Sequence, residues 1–203
     1  MANTATTVIY VRHGQTPTTG KVLPGRAVGL GLSEAGRAQA DAVAKRLGDT
    51  KGVAAVYASP LQRTRETAAP IAKALGQRVR VDRNLLECDF GDWTGGELAK
   101  LRKKPEWKEI QSHPAGFRFP GGESFTEMAT RMSMAVERYR RDHPGKVVVA
   151  VSHADPIKAA VAGALGVHLD LFQRIDVGPC STTVVSYGGS GCFVHCVNRP
   201  AEG

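Results

Sequence analysis

Aromatic residues are scarce in this 203-residue chain, at 6% of the total. That is too few for base-stacking platforms, and no nucleic-acid motif is present, so nucleic acid is not an expected partner. The cysteines number 4, at Cys88, Cys180, Cys192 and Cys196, with no CxxC pair. So sparse a set over this length excludes a disulfide scaffold. Long apolar runs are missing as well. The strongest, Val147–Val151 and Ala159–Val167, fall far short of the ~20 residues that span a bilayer, so no membrane partner is expected. Met1–Thr7 has neither a basic start nor an apolar run; no signal peptide is expected, and a reducing cytoplasm is the expected location. Acidic residues are outnumbered, 19 against 27 basic, for a net charge of +8. The basic residues are scattered, and the densest run, Lys100–Lys104, is broken by Leu101. Small anions suit that distribution better than a nucleic-acid groove, although charge alone fits a solvated basic face equally well.

With 42% hydrophobic and 23% charged residues, the composition is that of a globular protein able to bury a real core in one domain. Strand-like and helix-like segments alternate, which predicts a three-layer α/β/α sandwich on a mostly parallel sheet. Thr7–Val11 reads as the first strand. Ser33 reads as the N-cap of a helix with apolar positions Ala35, Ala38, Ala42, Val43 and Leu47, ending at Gly48. Val53–Ala58 reads as a buried strand, followed by a helix with Ser59 as cap, Pro60 in the first turn and Gln62 completing a capping box. Further elements are a strand at Val79–Val81, a helix over Ser124–Arg141, a central strand at Lys146–Ser152 and a helix opened by Asp155-Pro156 and ended near Gly166. A glycine-rich hairpin joins Thr182–Tyr187 to Cys192–Val197 and makes the sheet mixed. Residues 93–125, broken by Gly95-Gly96, Pro105, Pro114, Pro120 and Gly121-Gly122, read as a cap inserted over one edge of the core.

Polar residues gather on or just after the predicted strand ends: Arg12-His13-Gly14, Arg63, Glu87 and His153. Ligands of open α/β sheets bind outside those ends, so residues distant in sequence can meet there. Two histidines, two arginines and a carboxylic acid suit phosphoryl transfer without a metal. A histidine nitrogen can attack phosphorus and hold the phosphoryl group. Arginine forks match phosphate oxygens, a second histidine can stabilise developing charge, and an acid of raised pKa can protonate the leaving alkoxide. Cys192, His195 and Cys196 suggest a zinc site only superficially, because strand alternation puts His195 on the opposite face from the two cysteines.

The segments VIYVRHGQT (Val8–Thr16), LSEAGRAQA (Leu32–Ala40), YASPLQRTRETA (Tyr57–Ala68), LLECDFGDWTG (Leu85–Gly95), PGGES (Pro120–Ser124) and VVVAVSHADPIK (Val147–Lys158) resemble, in that order, the histidine phosphatase superfamily of phosphoglycerate-mutase-like proteins. The resemblance covers nearly the whole chain. It implies His13 as the phosphorylated nucleophile, a phosphate pocket of Arg12, Arg63 and His153 flanked by Gly14 and Ala154, and Glu87 as proton donor and later base. It implies no metal and no organic cofactor. Thr19 stands where the family commonly has Asn, so it offers a hydroxyl in place of an amide. Arg26, in the same loop, is a substrate-binding candidate. Asp89 remains a rival acid to Glu87, Glu66 a rival partner for Arg63, and Cys88 is expected to be a packing thiol.

The expected activity is hydrolysis of small phosphomonoesters. A mutase is the alternative, and a silent phospholigand-binding module the lesser one. Phe90 stands where the family's mutases carry Tyr, and residues 93–125 hold no adjacent Arg pair, which favours hydrolysis. Lys100, Arg102, Lys103, Lys104 and Lys108 either steer an anionic substrate or form a solvated face. His113, His143, His168 and His195 read as structural or solvated. The edge strand near the C-terminus allows a homodimer without requiring one.

Overall fold

The computed structural model describes residues 5–201. Strands β1 (Thr6–Arg12), β2 (Val53–Ala58), β3 (Val79–Val81), β4 (Val147–Ser152), β5 (Thr182–Gly188) and β6 (Gly191–Arg199) form one sheet in the order β3-β2-β4-β1-β5-β6. The first four run parallel, and β5 and β6 turn back antiparallel along one edge. The helices are α1 (Glu34–Leu47), α2 (Gln62–Ala74), α3 (Leu98–Leu101), α4 (Pro105–Ser112), α5 (Phe125–Asp142) and α6 (Ala154–Leu165). Among the described residues, no helix is long and apolar enough to cross a membrane.

The central strands are apolar on both faces, because each face carries helices. Ile9, Val11, Val149 and Val151 pack with Val43, Leu47, Ala68 and Ile71 of α1 and α2. Val8, Tyr10, Val148 and Ala150 pack with Met132, Tyr139, Ile157 and Val161 of α5 and α6. Period-2 alternation in the strands thus meets helical periodicity on either side, and three layers result.

This connectivity places the site. The chain leaves β1 through α1 toward β2, and leaves neighbouring β4 through α6 toward β5, on the opposite face. A crevice therefore opens beyond the carboxyl ends of β1 and β4, where Arg12 stands in register with Ser152. Over it lie α3 and α4, whose Leu101 and Ile110 join Phe90, Trp93, Phe117, Phe119 and Phe125 in a separate aromatic-rich cluster against α6.

The start of α2 differs from the sequence expectation. Leu61 is the N-cap, without a side-chain bond, so Ser59 does not cap, Pro60 precedes the helix and no capping box forms. The Ser59 hydroxyl lies 2.9 Å from His153 Nε2 instead, and Gln62 donates to Glu66 at 2.7 Å. A tertiary partner takes the Ser59 hydroxyl, and a neighbour one turn along the same helix takes the Gln62 amide. The helix expected from Asp155-Pro156 begins at Ala154, with His153 as N-cap.

At the turn after β1 the chain passes very close to α1. A Cβ on Gly36 would meet the Gln15 carbonyl oxygen at 2.0 Å, and one on Gly14 would meet the Gly36 oxygen at 2.5 Å. Gly36→Ala is expected to destabilise by about 1–3 kcal/mol, as overpacking does, lowering Tm by about 2–4 °C per kcal/mol. Gly163→Ala, in α6 with nothing within 4 Å of its Cβ position, is expected to raise Tm slightly through helix propensity. Calorimetric melting of both variants checks the contrast; a Gly36→Ala protein as stable as wild type contradicts the close approach.

Candidate active site

His13 follows β1, with only 5% of its surface exposed. Its Nδ1 lies 2.8 Å from the Gly14 carbonyl oxygen, which can only accept, so Nδ1 carries a proton. Its Nε2 lies 3.2 Å from Arg63 Nε, which can only donate, so Nε2 presents its lone pair. Burial, then the charges of Arg63 and Arg12, hold the imidazole well below its ordinary pKa and keep it neutral.

Arg63, in the first turn of α2, is fully buried. The helix is tied to the end of β1 because Gly14 N–H donates to Thr67 Oγ1 at 3.1 Å. Arg63 does not pair with Glu66, whose carboxylate accepts from Leu32 N–H and Gln62. Instead its Nη2 donates to the Gly25 carbonyl at 2.6 Å. Arg12 donates from Nη1 to the Val177 carbonyl at 2.6 Å. Burial lowers the pKa of both arginines from the ordinary value, but guanidinium retains its charge at any working pH.

His153, fully buried after β4, stands with its ring centroid 5.2 Å from that of His13. Burial, followed by the charge of Arg63, lowers its pKa well below the ordinary value. Arg12 Nε, Arg63 Nη1 and His153 Nδ1 are buried without a hydrogen-bond partner among the described residues. A buried unmet polar group costs about 1–3 kcal/mol. Three of them around one histidine form a cradle suited to an anion's oxygens, and the N-terminus of α6 at Ala154 opens on the same crevice.

Glu87 lines that crevice. Burial first, then the neighbouring Asp155 carboxylate, raises its pKa to about 7; Arg63, the Cys88 N–H and Arg12 act in the opposite direction. The loop carrying it is held by Ser152 Oγ donating to the Leu85 carbonyl at 2.8 Å. Two arginines clamp the same loop. Arg26 Nε and Arg131 Nη2 both donate to the Glu87 carbonyl, at 3.0 and 3.1 Å. Glu123 joins them, accepting from Arg26 at 2.9 Å and from Arg131 at 2.7 Å.

The other sequence candidates are placed as follows. Arg26 spends its remaining donors on Asp89 and Glu123 and does not line the crevice. Asp89 is 38% exposed in its side chain and ion-paired to Arg26. The Gly14 N–H is occupied by Thr67. Thr19 lines the crevice, and its Oγ1 accepts from Thr16 N–H at 2.8 Å. Cys88 is fully buried, and burial pushes its thiol pKa far up, out of nucleophilic range. His113 and His168 face Asp170, His143 faces Tyr57 and His195 faces Ser186. No group of His, Cys, Asp and Glu suited to a metal occurs among the described residues. Sequence reasoning missed Asp155, Ser59, Thr67 and the Glu123–Arg131 pair, although Glu123 lies inside the PGGES segment and offered a signal.

Comparison with known proteins places this arrangement in a class. The family model of the histidine phosphatase superfamily, branch 1, matches residues 8–200, and the chain belongs to that superfamily. It is 33% identical over 198 residues to the bifunctional protein Rv2228c of Mycobacterium tuberculosis, covering 97% of this chain and 54% of that protein. The chain thus spans about half the length of that relative. It is 33% identical over 183 residues to phosphoserine phosphatase 1 of Hydrogenobacter thermophilus, covering 88% of this chain and 85% of the relative. Among solved structures it is similar to a mycobacterial glucosyl-3-phosphoglycerate phosphatase, with a TM-score of 0.84, 28% identity and coverage of 96% and 99% of the two chains.

The Glu87 titration is directly measurable. A 13C-NMR titration of its side-chain carboxyl is expected to show a midpoint near about 7. Asp155→Asn removes a like charge and should move the midpoint down, whereas Arg63→Met removes a cation and should move it up. A midpoint in the ordinary carboxylate range, indifferent to Asp155, contradicts the burial and coupling described.

Proposed function

We propose that the chain is a phosphatase that hydrolyses small phosphomonoesters through a phosphohistidine at His13, with residues 93–125 as a cap over the site of a single domain. The observation that carries this reading is the neutral His13 with Nε2 unprotonated inside a cradle of unmet polar groups. In the first step the Nε2 lone pair attacks phosphorus in line and the phosphorus–oxygen bond to the alcohol breaks. The Arg63 N–H that faced the lone pair then turns to a phosphoryl oxygen, beside Arg12 and His153. With the Ser59 hydroxyl donating to Nε2 of His153, Nδ1 of that ring carries the proton that faces the phosphoryl group. Protonated Glu87 gives its proton to the departing alkoxide.

In the second step the Glu87 carboxylate takes a proton from water, the water oxygen attacks phosphorus, and the nitrogen–phosphorus bond returns its electron pair to His13. Inorganic phosphate leaves and Glu87 is again an acid. A pKa near about 7 lets one group serve both steps at neutral pH. Arg26 and Arg131 act as positioning residues, because both hold the Glu87 carbonyl. Release of the phosphoryl group to water, rather than return to a bound sugar acid, is supported by the ring of Phe90, which lines the crevice without a hydroxyl.

Phosphate release from a panel of phosphomonoesters, measured with chelator present, tests this reading. His13→Ala is expected to lose turnover and the acid-labile phosphoenzyme together. Glu87→Gln is expected to slow alkyl esters far more than aryl esters, since a basic alkoxide needs the proton most. Phosphorylation by alkyl esters should decline as pH rises through about 7, where Glu87 loses its proton. Dephosphorylation should decline below it, where the carboxylate is lost. Turnover that survives His13→Ala overturns the proposal. Formation of 2-phosphoglycerate from 3-phosphoglycerate without free phosphate, given a little 2,3-bisphosphoglycerate, would mean a mutase.

A further inference from the structure

The crevice extends well past the phosphate cradle. Its volume is about 390 Å³, which falls within the ~300–1,000 Å³ of sites that enclose whole small molecules. A phosphoryl group fills only the inner end, so the remainder receives the alcohol half of the ester. The walls of that remainder are of two kinds. Phe90, Phe119 and Phe125 supply buried aromatic surface, and Trp107 and Ile110 of α4 continue it. A short, fully hydroxylated chain would leave this surface against water, whereas a ring-bodied alcohol covers it.

The second kind of wall is cationic. Lys158 lies on α6 four residues after Ala154, so at ~1.5 Å rise per residue it stands about 6 Å further along the axis from the phosphate end. It lines the crevice with 16% of its side chain exposed. One of its three donors goes to Gln173 Oε1 at 3.0 Å; Asp155, which also lines the crevice, is its ion-pair partner at 3.7 Å, too long for a hydrogen bond. Two of its N–H groups therefore make no hydrogen bond to the described residues, and an anionic ligand competes with Asp155 for them. Arg102, at the C-cap of α3, lines the same crevice, and its guanidinium has no partner among the described residues.

We infer that the substrate is a phosphomonoester of a ring-bodied alcohol carrying a second anionic group, a carboxylate or another phosphate, which Lys158 and Arg102 hold while the ring lies on the aromatic wall. The inference rests on the phosphatase reading of the same site. It assigns one exposed basic residue of the cap, Arg102, to substrate selection; Lys100, Lys103, Lys104 and Lys108 do not line the crevice.

The test compares kcat/KM for phenyl phosphate, 4-(hydroxymethyl)phenyl phosphate, 4-carboxyphenyl phosphate and 1,4-phenylene bisphosphate, with 3-phosphoglycerate as the ringless acid. Wild type, Lys158→Met and Arg102→Met are measured side by side. At least one of the two anionic aryl esters is expected to exceed the neutral hydroxymethyl ester by about tenfold, the scale of one charge-assisted hydrogen bond. The better of the two identifies the second group. That ratio should fall toward one in each variant, and the neutral ester measured in the same protein shows that the fold is intact. Equal use of neutral and anionic esters by wild type, or a ratio that persists in both variants, overturns the second-anion assignment. A preference for 3-phosphoglycerate over every aryl ester overturns the ring. In all these cases His13-dependent cleavage of phenyl phosphate leaves the phosphatase reading standing; if no ester is cleaved, the phosphatase reading itself has failed.

Discussion

The Nδ1–H of His13 donates to the Gly14 carbonyl at 2.8 Å, and the rest of the site is arranged around the consequence. A carbonyl cannot give a proton back, so the tautomer is fixed and the Nε2 lone pair has one direction, toward Arg63 at 3.2 Å. Burial and two guanidinium charges then keep the ring from taking a second proton. The same environment that makes His13 neutral makes Glu87 a weak acid near about 7. Desolvation acts on both groups in the same sense, disfavouring charge, and thereby prepares a nucleophile and a proton donor side by side.

The fold supplies this environment by closeness at a few joints. Gly14 and Gly36 let the turn after β1 meet α1 at distances no side chain would allow. Thr67 links α2 to that turn, which brings Arg63 to His13. Ser152, at the end of β4, holds the strand against the Glu87 loop. Glu123 and Arg131, from the beginning of α5 and the residues before it, complete the grip together with Arg26. The unmet polar groups of Arg12, Arg63 and His153 oppose stability, so the surrounding network must over-determine their positions.

Much of this was legible in the chain itself. Apolar β-branched runs marked β1, β2 and β4, and polar residues just beyond them marked where strand ends would converge. The start of α2 was not legible: Ser59-Pro60-Leu61-Gln62 carries every local signal for a cap, yet Ser59 faces His153, a partner 94 positions away. Arg26 is a related case. It sits in the loop next to the site, but its donors serve the Glu87 loop, a fact set by Asp89 and Glu123 and invisible from its own neighbours. Locally Asp155 carries only a helix-start signal, and its effect on Glu87 emerges only when β4 and the loop after β3 lie together. Local pattern finds elements and strand-end chemistry; long-range pairing decides which polar group faces which.

The most direct measurement is 15N NMR of the His13 ring at neutral pH and at mildly acid pH. The account predicts a neutral imidazole protonated at Nδ1 and bare at Nε2, persisting below the pH at which an ordinary histidine takes up its second proton. An imidazolium at neutral pH, or a neutral ring with its proton on Nε2, would contradict it, because no lone pair would then face the cradle.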